Sequence, residues 1–128
     1  MAKILIIDDD PDIVDAQKLI LEANGYEVIS AADGKEGLEK ARSEKPDLII
    51  LDVMMTTVDE GFHVAYQVQG DEILRKIPIL MVTSVGQQTG FHFDPEKDED
   101  FLPVAGFLEK PIKAEVLIRK VKEILGES

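Results

Sequence analysis

Three consecutive aspartates, Asp8-Asp9-Asp10, close one short apolar run, and a fourth acid, Asp52, closes another. A hydroxyl pair, Thr83-Ser84, closes a further apolar run, and Glu109-Lys110-Pro111 follows the last one. Brought together, these groups would have a definite chemistry. Carboxylates that share a site repel one another and tend to take up protons. With Asp8, Asp9 and Asp52 ionised and Lys110 charged, the group keeps a net charge of −2, which a divalent cation would cancel. Few carboxylates with room for water favour Mg2+ over Ca2+, and Mg2+ held this way shares its remaining positions with phosphate oxygens. The Lys110 ammonium and the Thr83 hydroxyl suit the other phosphoryl oxygens. A carboxylate can also be the nucleophile and form an aspartyl phosphate, a role for which Asp52 is the best placed.

Those residues meet only if the chain folds so that the ends of its apolar runs share one edge. Ile4-Leu5-Ile6-Ile7 and Leu48-Ile49-Ile50-Leu51 are continuous and rich in β-branched residues, as strands buried on both faces require. Residues 26–30, 77–82 and 106–108 read as three further strands. Between them lie helical patterns. The first is capped by Asp10, has Pro11 at its first position, and stops at Gly25, with Ile13, Ala16, Ile20 and Leu21 facing inward. The second spans 34–43 with Leu38 and Ala41 inward, and Pro46 breaks it. A third is expected over 62–74, weakened by Gly70, and a last one over 115–125 with Leu117, Val121, Ile124 and Leu125 on one face. In residues 86–104, where glycines, prolines and an acidic stretch accumulate, at most a short helix near 96–102 fits.

Strands alternating with helices predict an α/β fold: a flavodoxin-like, doubly wound, five-stranded parallel sheet, order 2-1-3-4-5, with helices on both faces. That order puts a switch point between strands 1 and 3, and ligands bind beyond the carboxyl ends of the strands there. Asp8, Asp9, Asp52, Thr83 and Lys110 all fall at that edge.

The length of 128 residues fits one domain covering 1–128, with no effector domain. Hydrophobic residues make up 45%, too many for a disordered chain. There is no cysteine, hence no disulfide framework, thiolate nucleophile or zinc–thiolate site. The net charge of −12 argues against direct binding to nucleic acid or an anionic membrane, which reward basic patches. The longest apolar runs, about five residues, fall far short of the ~20 a membrane span needs. Met1-Ala2-Lys3 leads straight into the first strand, unlike a signal peptide, so a cytoplasmic protein is expected.

Each residue alone has a plainer reading. Asp10 before Pro11 is a helix cap first. A single Asp such as Asp52 is more often a turn residue, and a Lys before Pro is usually solvated. His63 and His92 have no ligand spacing, and residues 94–100 lack the alternating ligands and central Gly of a calcium loop. It is the convergence of the set at one edge that makes coincidence improbable.

The chain resembles, from Lys3 to Leu125, the receiver domain of two-component response regulators, in its stand-alone form. The resemblance rests on Ile4-Leu5-Ile6-Ile7-Asp8-Asp9-Asp10, Asp47-Leu48-Ile49-Ile50-Leu51-Asp52-Val53-Met54-Met55, Met81-Val82-Thr83-Ser84 and Glu109-Lys110-Pro111. It implies that Asp52 is the phosphoacceptor, taking a phosphoryl group from a phosphohistidine on a sensor histidine kinase or phosphotransfer protein. It implies that Asp8, Asp9, Asp52 and the backbone carbonyl of Met54 hold Mg2+. Lys110 would contact the phosphoryl group, Thr83 would swing toward it, and Phe107 would follow Thr83 inward as the aromatic switch. Such a protein is a switch with at most slow autodephosphorylation, not a turnover enzyme. It would be a monomer or weak homodimer acting on an unknown downstream protein target, without touching nucleic acid or membrane.

Two stretches depart from the family pattern. After Met55 the family has a Pro-Gly turn and then Asp-Gly, whereas here Thr56-Thr57-Val58-Asp59-Glu60-Gly61 has no proline and one extra residue. The connection from Thr83 to Lys110 is longer than usual and carries two prolines, so the fourth helix is expected to be atypical: shortened, displaced or missing. Two other readings stay open. One is a receiver-like scaffold that no longer uses phosphate. The other is a haloacid-dehalogenase-like phosphatase using Asp8, for which the chain is short and Asp52 would have no role.

Overall fold

In the computed structural model, the described residues are 2–52, 64, 67, 68, 70–72, 74–83, 106–109 and 113–126. Five strands form one sheet: β1 Lys3–Ile7, β2 Glu27–Ala31, β3 Leu48–Asp52, β4 Ile79–Thr83 and β5 Gly106–Glu109. Their order is β2-β1-β3-β4-β5, and every pairing is parallel. This is the doubly wound order expected from the alternation of elements.

Side chains alternate across the sheet, because successive strand residues point to opposite faces. Leu5, Ile7, Ile49, Leu51, Ile79 and Met81 pack on one face, with Ala41, Val64, Val68 and Leu74. Ile4, Ile6, Leu48, Ile50, Leu80 and Val82 pack on the other, with Leu21, Leu117 and Val121. Both faces are dry, which is why these strands read as unbroken apolar runs. Burying each Leu or Ile is worth about 1.5–3 kcal/mol relative to leaving it exposed.

Three helices are fully described: α1 Pro11–Ala23, α2 Gly34–Glu44 and α3 Ala114–Leu125. The α1 start is the expected one, with Asp10 accepting from the Asp12 amide and Pro11 in the first turn. Asp33 caps α2 by accepting from the Glu36 amide, and α2 ends at Lys45 in a left-handed conformation, φ 49°. Within α2, Gly37 allows a close approach to β1: a Cβ there would stand 2.4 Å from Ile7 Cδ1 and 2.8 Å from Cγ1.

The structure shifts several expectations. Ala16 is exposed, and the inward residues of α1 are Gln17 and Leu21, flanked by half-buried Ile13, Val14 and Ile20. The amphipathic pattern was ambiguous because a glutamine occupies a core position. Gln17 is 5% exposed, and its Oε1 has no hydrogen-bond partner among the described residues. The third helix expectation, 62–74, is too long. Val64, Gln67 and Val68 are helical, but Gly70 lies in a turn and Leu74–Lys76 form a separate 3-10 turn, started by Asp71 accepting from the Leu74 amide at 3.1 Å. The fourth strand begins at Ile79 rather than 77, since Ile77 belongs to the turn, donating to Leu74 O at 2.9 Å, and Pro78 has no N–H for a ladder. It also extends one residue further, to Thr83. The departures expected at 56–61 and 86–104, with the short helix near 96–102 and the atypical fourth helix, lie outside the described residues.

Candidate functional site

The carboxyl ends of β1 and β3 lie side by side, because Ile7 pairs with Leu51. Asp8 follows Ile7 and Asp52 is the last residue of β3, so the two acids emerge together at the switch point. Their strands are held by the dry core beneath them, which leaves their backbone little freedom.

Asp8 is 4% exposed. Its amide donates to Ala31 O at 3.1 Å, extending the β1–β2 ladder by one step. Its Oδ1 accepts from the Asp10 amide at 2.9 Å, a local Asx turn that bends the chain from strand into helix and orients the carboxylate. Asp52 is 3% exposed, whereas Asp9 is exposed. Asp8, Asp9 and Asp52 each offer a carboxylate oxygen within 4.8 Å of the others. Asp10, the third aspartate of the run, is committed to capping α1.

These three carboxylates suit a small hard cation. Two oxygens on an octahedral Mg2+, each about 2.1 Å away, sit about 3 Å apart in neighbouring positions and about 4.2 Å apart in opposite ones. Three oxygens on one such ion include at least two neighbouring pairs about 3 Å apart, so holding it would draw the triad closer than its limit of 4.8 Å. An all-oxygen, acid-rich set of few ligands is also the donor set Mg2+ takes, with water or phosphate oxygens completing it.

The other expected residues are placed by backbone only or lie outside the described residues. Asp52 pairs with Val82, so Thr83 ends β4 one step beyond it, opposite Glu109. Phe107 sits in β5, opposite Met81. Lys110 and Met54 lie outside the described residues, as do His63 and His92. One contributor had no signal in the residue types: Ala31, whose carbonyl pins the Asp8 backbone. A main-chain acceptor leaves no trace in its own side chain, and only the strand register reveals it.

At the opposite end of the same strands the charges are mixed. Lys3 Nζ lies 3.1 Å from Glu44 and 3.6 Å from Glu27. Its amide donates to Asp47 Oδ2 at 2.8 Å, and the Asp47 amide donates back to Lys3 O at 2.7 Å. The hydrogen bond to Glu44, reinforced by the charge of Glu27, raises the Lys3 pKa above its ordinary value.

A family model described as the response regulator receiver domain matches residues 4–122. The alkaline phosphatase synthesis transcriptional regulatory protein PhoP of Bacillus subtilis is 39% identical over 98% of this chain and 49% of its own length. The DNA-binding dual master transcriptional regulator RpaA of Synechocystis is 41% identical, again over 98% of this chain and 49% of its own. The chain thus spans about half the length of these two relatives. Protein PilH of Pseudomonas aeruginosa, by contrast, is 31% identical over 98% of this chain and 99% of its own. Among solved structures, the chemotaxis response regulator CheY4 of Vibrio cholerae superposes with a TM-score of 0.82 at 35% identity, covering 97% of this chain and 98% of that one.

Proposed function

The chain belongs to the response regulator receiver domain family, and from that premise we propose that it is a phosphoacceptor switch whose acceptor is Asp52. The observation that carries this reading is the acid triad: one buried carboxylate at the end of the central strand, with two more oxygens within 4.8 Å. Asp8, Asp9, Asp52 and the Met54 carbonyl would hold Mg2+, which when bound neutralises charge on the incoming phosphoryl oxygens.

The residues then have separate tasks. An Asp52 carboxylate oxygen attacks phosphorus, forming the O–P bond while the P–N bond to the donor histidine breaks. The imidazole leaves and takes a proton. Lys110 pairs with a phosphoryl oxygen as a point charge. The Thr83 hydroxyl donates to another, a contact that exists only once the phosphoryl group has arrived. Phosphorylation adds about −1.5 to −2 charge and three acceptor oxygens, so that contact biases a two-state surface on the β4–β5 side. Phe107, having no hydroxyl, changes position by packing alone. The donor is a sensor histidine kinase or phosphotransfer protein, and the output is a protein partner contacted in the cytoplasm. Met54 and Val85, which follow β3 and β4 in sequence, carry no group that orients a hydrolytic water, and this favours a longer-lived phosphorylated state; a measured lifetime of seconds would count against it.

The test is incubation with acetyl phosphate, or with the mimic beryllium fluoride, with and without Mg2+, followed by intact mass or NMR. Modification that needs Mg2+ and vanishes in Asp52→Asn supports the reading. Modification that survives in Asp52→Asn but is lost in Asp8→Asn identifies a phosphatase-like nucleophile at Asp8 instead. No modification of the parent protein leaves a receiver-like scaffold.

A further inference from the structure

Among the described residues, the β2 strand is an edge of the sheet. An edge strand presents a row of N–H and C=O groups that another strand can pair with. Which groups face outward follows from the register. Glu27 donates to Ala2 O and Ala31 accepts from the Asp8 amide, so the main-chain groups of residues 27, 29 and 31 face β1. Those of Val28 and Ser30, alternating with them, face away from the sheet.

One of these outward groups is already taken. The Ser30 carbonyl accepts a hydrogen bond from Lys40 Nζ, which reaches over from α2. Lys40 Nζ is also 3.2 Å from the carboxylate of Glu36, one helical turn earlier. The ammonium is therefore held in place from two sides, over the carboxyl-terminal half of the exposed edge. A strand docking there would have to displace it or bury it, and burying a charge without full compensation is costly.

We infer that Lys40 is an edge guard, which keeps β2 from pairing with the β2 edge of a second copy of this chain. The second copy is the fitting occupant. Its Val28 and Ser30 offer the same donors and acceptors at the same spacing, and two copies related by a two-fold axis would pair β2 with β2 in antiparallel fashion. The Val28-Ile29-Ser30 stretch also has the composition of a strand that pairs readily. The net charge of −12 keeps copies apart at long range, but salt screens that repulsion within about 8 Å at physiological ionic strength. Lys40 acts at contact distance, where screening does not help an intruding strand. This inference stands independently of the phosphoryl chemistry.

The experiment compares the parent protein with Lys40→Ala and Lys40→Arg by sedimentation velocity over a range of concentrations in physiological salt. Amide hydrogen exchange of Val28 and Ser30 is read at low and high concentration. Circular dichroism checks that each variant is folded, which a half-exposed helix position should permit. The expected result is self-association at least ten-fold tighter in Lys40→Ala, with the Val28 and Ser30 amides becoming protected as concentration rises. Lys40→Arg, which restores a cationic donor, should sediment as the parent does. Lys40→Ala sedimenting like the parent would overturn the inference. So would association that leaves the Val28 and Ser30 amides unprotected, since the contact would then lie elsewhere.

Discussion

The two ends of the β1–β3 strand pair use the same kinds of residue to opposite purpose. At the amino end, Lys3 stands among Glu27, Glu44 and Asp47, and opposite charges are matched by hydrogen bonds and ion pairs. At the carboxyl end, Asp8, Asp9 and Asp52 bring like charges within 4.8 Å of one another. The first arrangement joins β1 to β2, α2 and the β3 entry, and is satisfied by folding alone. The second is the arrangement that gains most from a ligand, because a cation converts mutual repulsion into shared attraction. Acid count therefore says little by itself; the sign of the neighbours separates a brace from a binding site.

Four substitutions or titrations put that contrast at risk, beginning with the largest effect. Asp52→Asn should abolish Mg2+-dependent modification by acetyl phosphate, read by intact mass. Next, Asp8→Asn keeps an oxygen for the Asp10 amide but removes one charge from the triad. Its Mg2+ affinity should fall about ten-fold, measured by calorimetric titration. Linked to stability, Mg2+ at ten times the parent's dissociation constant should add about 1.4 kcal/mol to parent unfolding and about 0.4 kcal/mol to that of the variant. Equal stabilisation of both proteins would show that Asp8 is not part of the cation site.

Smaller effects are expected at the other end. Lys3→Met keeps the apolar stem and loses the ammonium. It should lower the melting temperature slightly, as partly exposed ion pairs do, and leave Mg2+ affinity unchanged. A changed affinity would mean that the two ends are not independent. The smallest effect is a pH dependence. The folded pKa of Lys3 is raised above its ordinary value of 10.5. Its contribution to stability is therefore complete below that value and is lost as pH rises through the folded pKa. The melting-temperature gap between parent and Lys3→Met should accordingly close above pH 10.5 and stay constant through neutral pH. A gap that closes on acidification instead would assign the effect to the carboxylates.

Much of this could be read from residue order. The apolar runs around Ile4 and Leu48 announced strands buried on both faces, and alternation with helices implied a parallel doubly wound sheet. Once the order was assumed, the meeting of Asp8, Asp9 and Asp52 followed from their places at strand ends. What stayed hidden was whatever depends on contacts between segments distant in sequence. Gln17 reads as a surface residue by type, yet the docking angle of α1 buries it where periodicity suggested Ala16. Ile77 reads as the start of a strand, but the Asp71 carboxylate and the Leu74 carbonyl hold the chain leading to it in a turn, and Pro78 follows it without an N–H. The Ala31 carbonyl and the Lys40 reach to Ser30 belong to the same class, since main-chain partners have no signature in side-chain type.

The close approach of α2 to β1 also has a historical consequence. Residues 7 and 37 occupy one shared volume: the terminal methyl of Ile7 fills the space that a Cβ at 37 would claim. An alanine at 37 would favour the helix by about 1 kcal/mol over glycine, but with isoleucine at 7 that gain meets a clash in a dry core. A lineage can thus reach the helix-favouring residue only by first reshaping position 7, and valine does not suffice, because a γ carbon would still stand 2.8 Å from the new Cβ. The reverse order passes through a strained intermediate. Two positions thirty residues apart are therefore tied into a sequence of events, and drift at either one is conditional on the history of the other.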